Sequence, residues 1–242
     1  METHSRDLEF RLMTIKLLHT VKKNHTYREL SQWTKLPVTV LSRYVKGHVL
    51  PTSTRAKDIW VALNKVADLE TELSSRIKFD EWGYFDNTKI ISDIPLLRLS
   101  TQHVVSKFAG RRITKVLTAA VDGIPLATLI ANSLDVDLVI AKKTREVGVK
   151  EFIEVSYVPV DSGVITTFYV PREVLRRADS VLIVDDIIRT GETQRALIDL
   201  VTKVRAEVAG IFALVAVGDN WKKKLEVPPN CPVEILTEIR RR

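Results

Sequence analysis

A single cysteine, Cys231, stands among the 242 residues, so neither an intrachain disulfide framework nor a cysteine-cluster metal site can form. That residue reads as a small buried hydrophobe beside a strand. Long apolar runs are missing too: none approaches the ~18 residues that a membrane-spanning helix needs. Met1-Glu2-Thr3-His4 does not open like a secretory signal. His4, His19, His25 and His48 show no ligand spacing and read as surface or packing residues. No internal repeat or low-complexity stretch occurs. These absences argue against a disulfide scaffold and a helical membrane protein, and a cytoplasmic chain with no membrane partner is expected.

What is present is an ordinary globular composition, 45% hydrophobic and 28% charged, with enough length for a good core and one or two domains. A net charge of +7 favours polyanions, but the position of the basic residues carries more information than their number.

The most informative stretch runs from Val181 to Thr193. Val181 to Val184 is a short β-favouring apolar run, the pattern of a parallel strand buried on both faces, and it is expected to end at Asp185 and Asp186. In open α/β sheets ligands bind at the carboxyl ends of strands, which puts both acids where a site would form. Thr190, Gly191 and Thr193 then open a helix whose apolar positions are Ala196, Leu197, Leu200, Val201 and Val204. Free amides and the positive dipole end at such a start cradle phosphate, and threonine hydroxyls add donors. Carboxylates beside a phosphate cradle suit a sugar phosphate.

This stretch resembles the phosphoribosyl pyrophosphate (PRPP) signature of the type I phosphoribosyltransferases: apolar residues, an acidic pair, two variable residues and a Thr-Gly-x-Thr turn. The resemblance implies that Asp185 and Asp186 contact the ribose hydroxyls. The segment Ile187, Ile188, Arg189, Thr190, Gly191, Glu192 and Thr193 would complete the PRPP site, its part from Arg189 onward holding the 5′-phosphate. It also implies Mg²⁺ arriving with PRPP, with Asp185 and Asp186 as candidate contacts. The junction Thr118 to Ala127 looks like the pyrophosphate loop of the same family, with Ala120, Val121, Asp122 and Gly123 at its centre. Asp122 departs from the pattern, since many members carry Lys or Arg there, and its negative charge opposes a diphosphate unless a metal ion intervenes. Lys142, Lys143 and Arg145 follow the next strand, where the family often places basic residues, and are the candidates for a catalytic role; a solvated charge run is the other reading. Two β-rich runs, Phe152 to Val158 and Val164 to Tyr169, read as a hairpin in the place of the family's flexible loop. Trp221, after a buried strand at Ile211 to Val217, either stacks on a nucleobase or packs under a final strand near Val233 to Leu236.

The amino-terminal part reads as helical. Leu8, Leu12, Ile15, Leu18 and Val21 recur at helical spacing and define an expected core face. Thr26 and Glu29 form a capping box for a second helix, Leu36-Pro37 interrupts, and Val38 to Lys46 forms a third helix stopped by Gly47. Val40, Leu41, Tyr44 and Val45 are expected to face inward, leaving Thr39, Ser42, Arg43 and Lys46 outward. The stretch from Leu30 to Pro51 resembles the Cro/repressor type of helix-turn-helix through Ser42-Arg43-Tyr44 and Gly47-x-x-x-Pro51. By that resemblance the outward residues are the nucleic-acid contacts. Lys35 stands where a glycine is often found in the turn. Thr52-Ser53-Thr54 caps a fourth helix carrying Ile59, Leu63, Val66 and Leu69.

The expected organisation is therefore an all-α helix-turn-helix domain over residues 1–70, a linker over 71–89 containing an aromatic turn at Trp82-Gly83-Tyr84-Phe85, and an α/β type I phosphoribosyltransferase-like domain over 90–242. The last begins with a strand near Ile94 to Leu97. The order resembles archaeal helix-turn-helix regulators with phosphoribosyltransferase-like domains. It implies a homodimeric transcriptional regulator that binds DNA, or RNA, and takes PRPP or a related nucleotide as effector. An active purine or orotate phosphoribosyltransferase with a regulatory nucleic-acid module is the alternative.

Overall fold

The structure is a computed structural model that describes residues 2–64, 69–81, 86–159 and 163–239. The chain divides into two units, residues 1–72 and 73–242. The aromatic turn at 82–85 and the hairpin tip at 160–162 lie outside the described residues, as does Val66.

The first unit holds helices α1 (Glu2–Asn24), α2 (Tyr27–Thr34), α3 (Val38–Val45) and α4 (Ser53–Asn64). Thr26 caps α2 with a complete capping box: its hydroxyl accepts from Glu29 N, and its own N–H donates to Glu29 Oε2 at 2.7 Å. Lys35, at φ 58°, takes the left-handed conformation that ends α2. The turn thus keeps a glycine-type geometry with a lysine in it, at a backbone cost of roughly 1–2 kcal/mol. Leu18, Leu30, Leu41, Tyr44, Ile59 and Leu63 form the buried interior. The expected stripe on α1 is corrected. Leu8 and Leu12 are 38% and 43% exposed, and the buried face runs through Thr14, Leu17, Leu18 and Val21. Thr14 can join it because its hydroxyl donates to Phe10 O at 2.9 Å, so no polar atom is stranded. On α3, Leu41 and Tyr44 are buried, whereas Val40 and Val45 are only half-buried. Thr39, Arg43 and Lys46 are exposed and Ser42 partly so.

Residues 71–89 are not a plain linker. They include the end of α5 (Leu69–Arg76) and the start of α6 (Thr88–Ile91). Leu73 and Ile90 are buried, and two guanidinium N–H groups of Arg76 reach Asp93 Oδ2 at 3.1 and 3.0 Å. The strand expected near Ile94 to Leu97 is instead the start of a helix, α7 (Ile94–Lys107). Asp93 caps it by accepting from Leu96 N, and Pro95 sits in the first turn, where its missing N–H costs nothing. A short apolar run cannot tell strand from buried helix by periodicity alone.

The rest of the second unit alternates: β1 (Lys115–Ala119), α8 (Ile124–Leu134), β2 (Asp137–Ala141), the hairpin β3 (Phe152–Tyr157) and β4 (Thr166–Pro171), β5 (Ser180–Ile188), α9 (Glu192–Lys203), β6 (Glu207–Val217), α10 (Asn220–Lys224) and β7 (Val233–Ile239). Five strands form one sheet in the order β2-β1-β5-β6-β7, every pair parallel. The antiparallel hairpin is joined to β2 by a bridge between Lys142 and Tyr169. Helix α9 and the hairpin pack on one face of the sheet, where Leu197, Leu200 and Val201 meet Val181, Ile183 and Phe168. Because β1 leads to β2 on one side while β5 lies on the other, the strand order reverses between β1 and β5. At such a switch point the loops leaving adjacent strands part and open a crevice at the carboxyl end of the sheet. Among the described residues no helix is long and apolar enough to cross a membrane.

Candidate functional site

The crevice is occupied by the two loops that the sequence singles out, one after β1 and one after β5. A cleft of about 370 Å³ opens there, lined by Asp122 from the first loop, by Asp186 of β5, by the run from Arg189 to Gln194 that follows that strand, and by Asn87, Tyr157 and Pro159.

The acidic pair does not end its strand. β5 continues through Asp185 and Asp186 to Ile188, and both acids are 7% exposed. Both acids are expected where a site would form, and their surroundings differ. Asp186 lines the cleft and accepts from Asn87 Nδ2 at 2.5 Å. Asp185 lies beneath it, accepting from Gln194 Nε2 at 2.6 Å and from Asp186 N at 3.0 Å. Burial, and then the neighbouring Asp186 charge, push the Asp185 carboxyl well above the usual carboxylate range.

Gly123 stands directly against Asp185. A Cβ there would lie 2.4 Å from Thr118 Oγ1 and 3.0 Å from Asp185 Oδ1. Its backbone, at φ −72°, is open to any residue, so it is space and not conformation that requires glycine. In the same loop the Ala120–Val121 peptide is cis, Val121 is 72% exposed, and Asp122 accepts from Asn87 Nδ2 at 3.2 Å. Asn87 thus ties the loop after β1 to the acid of β5. Nothing in the sequence around it signals this, because the two partners in the longer link are 99 positions apart.

The loop after β5 has the features of an anion cradle. Gly191, at φ 79°, precedes α9 and offers no capping side chain; the Glu192 N–H makes a long 3.5 Å bond to Thr190 Oγ1, which a bound phosphate can replace. Glycine is needed there twice over, for the left-handed φ and because a Cβ would meet Trp221 O at 3.3 Å. The Thr190 hydroxyl donates to Glu192 Oε2 at 3.1 Å. Ile187 is half-buried at the cleft wall, Ile188 is buried in the strand, and Arg189 is exposed at the cleft rim.

The basic candidates lie elsewhere. Lys142 is ion-paired with Glu146. Arg145 pairs with Glu154 at 2.6 Å and sits over the Tyr169 ring, 5.2 Å from its centroid. Those contacts raise the Arg145 pKa and fasten it to the hairpin. Lys143 is exposed and, among the described residues, makes no ion pair. Trp221 is 6% exposed, packed with Leu225 into the core under α9, and is not among the described residues that line the cleft.

Comparison with known proteins agrees with this geometry. Residues 88–239 match the model of the phosphoribosyl transferase domain. The chain is 30% identical over 181 residues to the probable purine biosynthesis transcriptional regulator PurR of Streptococcus pneumoniae, covering 74% of this chain and 64% of that protein, so it spans under two thirds of that relative's length. It is 32% identical over 173 residues to the hypoxanthine/guanine phosphoribosyltransferase of Methanococcus voltae, covering 68% of this chain and 87% of that one. Among solved structures, the adenine phosphoribosyltransferase of Rhodothermus marinus superposes with a TM-score of 0.63 at 26% identity, over 72% of this chain and 99% of that chain. With a parallel sheet flanked by helices, an acid-bearing β5 and a phosphate-type loop at its switch point, the chain belongs to the phosphoribosyl transferase domain family and has the type I fold.

Proposed function

We propose that this protein is a nucleic-acid-binding transcriptional regulator whose phosphoribosyltransferase-type cleft takes PRPP or a related nucleotide as effector. The observation that carries the reading is the charge around the loop after β1. Asp122 lines the cleft, while Lys142 and Arg145 are spent on Glu146 and Glu154. Transfer from PRPP develops charge on a departing diphosphate, and preorganised cations there are the main means of stabilising it. Binding asks less: the amides of α9, the hydroxyls of Thr190 and Thr193 and the Asp186 carboxylate suffice to hold a sugar phosphate. The first unit supports the regulatory part, since Thr39, Arg43 and Lys46 are exposed along α3 and a left-handed turn at Lys35 precedes it. The S. pneumoniae relative bears the name of a purine biosynthesis regulator, which agrees.

DNA is the proposed polymer, and a homodimer the proposed assembly, because a recognition helix of this kind addresses one half-site. Among the described residues no cluster of three or more carboxylates, imidazoles or thiolates could hold a metal ion. The residues present fit Mg²⁺ that arrives on PRPP: oxygen donors suit a hard cation, and Asp186 at the cleft would supplement those of the ligand, whereas Asp185, expected from the sequence as a second contact, lies beneath it and is bonded to Gln194. When bound, the ion would neutralise diphosphate charge beside Asp122.

The second reading, an active purine phosphoribosyltransferase, is favoured by the similarity to the M. voltae enzyme over 87% of its length. Incubation with PRPP, Mg²⁺ and each nucleobase separately, with pyrophosphate release followed and PRPP binding measured calorimetrically in the same samples, tests the two. Binding without base-dependent release is the expected result. Release at enzyme-like rates would replace the sensor by the enzyme.

A further inference from the structure

We infer that Glu192 and Lys224 form a charge pair that sets how strongly the cradle holds a phosphate, Glu192 competing with the ligand and Lys224 opposing that competition. The inference rests on the sugar-phosphate reading of the cleft and adds a regulating element to it.

Glu192 occupies the variable position of the Thr190-Gly191-Glu192-Thr193 turn, and its side chain lies in the cradle, not outside it. One carboxylate oxygen, Oε2, accepts from the Thr190 hydroxyl at 3.1 Å. The other, Oε1, is 3.3 Å from Lys224 Nζ. The Glu192 side chain is 17% exposed and that of Lys224 42% exposed, so the acid is largely withdrawn from water while the lysine reaches in from the surface. Without ligand, the protein's own carboxylate therefore holds a donor that a phosphate would use, and places a negative charge beside the phosphate position.

Lys224 is delivered by α10, which is fixed against the cradle. A Cβ on Gly191 would meet Trp221 O at 3.3 Å and Leu225 Cβ at 3.4 Å, and Leu225 N donates to Trp221 O at 2.8 Å. Trp221 and Leu225, each 6% exposed, anchor this short helix in the core. The ammonium is thus held near the loop by packing and not by a flexible tail. An entering phosphate has to displace Glu192 from Thr190, at a cost in charge repulsion that Lys224 reduces. The net effect is a cradle of moderated affinity, which suits an effector site that must empty as ligand concentration falls.

The test measures ribose 5-phosphate and PRPP affinity by calorimetry at low ionic strength for the full chain and for Glu192→Gln, Lys224→Ala and the double variant, with thermal melting as a control on folding. One unit charge about 5 Å away changes affinity about fourfold even at the dielectric of water. Glu192→Gln is expected to tighten ribose 5-phosphate binding by at least about that factor. Lys224→Ala should weaken it comparably, and the double variant should return close to the wild type. A merely structural role would move both single variants in the same direction and lower their melting temperatures. Wild-type binding of PRPP with both variants unchanged, or both weaker, would overturn the charge pair alone. No binding of PRPP or ribose 5-phosphate by the wild type would overturn the reading of the cleft, and this inference with it.

Discussion

Replacing Gly123 by alanine tests the geometry of the site directly. The new methyl would stand 2.4 Å from Thr118 Oγ1, 3.0 Å from Asp185 Oδ1 and 3.5 Å from Asp185 Cα. Because φ is −72°, no backbone strain contributes, and the whole cost is steric. Thr118 is fully buried on β1 and Asp185 is held by Gln194 and by Asp186 N, so neither side chain can swing away freely. Overpacking of this kind costs about 1–3 kcal/mol. For a chain of this size that corresponds to roughly 2–12 °C in Tm. Relief requires the loop after β1 to move off β5, so PRPP binding should fall along with stability. Differential scanning fluorimetry and calorimetry read the two effects. Thr118→Ala removes the atom that clashes most, so Gly123→Ala/Thr118→Ala should be more stable than the sum of the single changes implies. An unchanged Tm and unchanged PRPP affinity in Gly123→Ala would refute the close approach of this loop to the acidic strand.

Three further outcomes follow from the same physical arguments. Burial and the Asp186 charge raise the Asp185 carboxyl, so its stabilising contribution is fully present below the unfolded value near 3.8 and is lost as pH rises through the folded value. Asp185→Asn has no such loss, so its Tm relative to the wild type should climb from pH 4 towards pH 7; a constant difference across that range would count against a carboxylate held out of its charged state. Gly210→Ala would set a methyl 2.1 Å from Phe108 Cε1 between β6 and α7, costing about 1–3 kcal/mol; Gly210→Ala/Phe108→Leu should recover part of it in urea unfolding, and no recovery would mean that the strain lies elsewhere. Arg43→Ala should weaken DNA binding and reduce the salt slope of log affinity by about 0.9 for one lost phosphate contact, or relax sequence preference if Arg43 reads a base; identical affinities throughout a salt titration would argue against α3 as the contact helix.

Much of the fold was legible because the signals that specify it are local. The β1 and β5 apolar runs, the helix beginning at Gly191, the hairpin around Pro159 and the capping box at Thr26 and Glu29 each depend on residues a few positions apart. The failures were local ambiguities that packing resolved. Ile94 to Leu97 read as strand but follows the cap at Asp93 into α7. Leu12 shares helical spacing with Leu18 yet is 43% exposed, because the buried face of α1 is chosen by what α3 and α4 present to it.

The sequence by itself determined most of the elements, the two loops that bear the site and the resemblance to phosphoribosyltransferases, since a strand, a glycine turn and a helix start are written in consecutive residues. Only the tertiary structure decided how the charges are spent. It separated Asp186, at the cleft, from Asp185 beneath it. It brought Asn87 onto Asp186 across 99 positions, withdrew Lys142 and Arg145 into pairs with Glu146 and Glu154, and buried Trp221 behind Gly191. The physical reason is that backbone hydrogen bonding repeats over a few residues, whereas the field at a carboxylate is summed over whatever the chain folds around it.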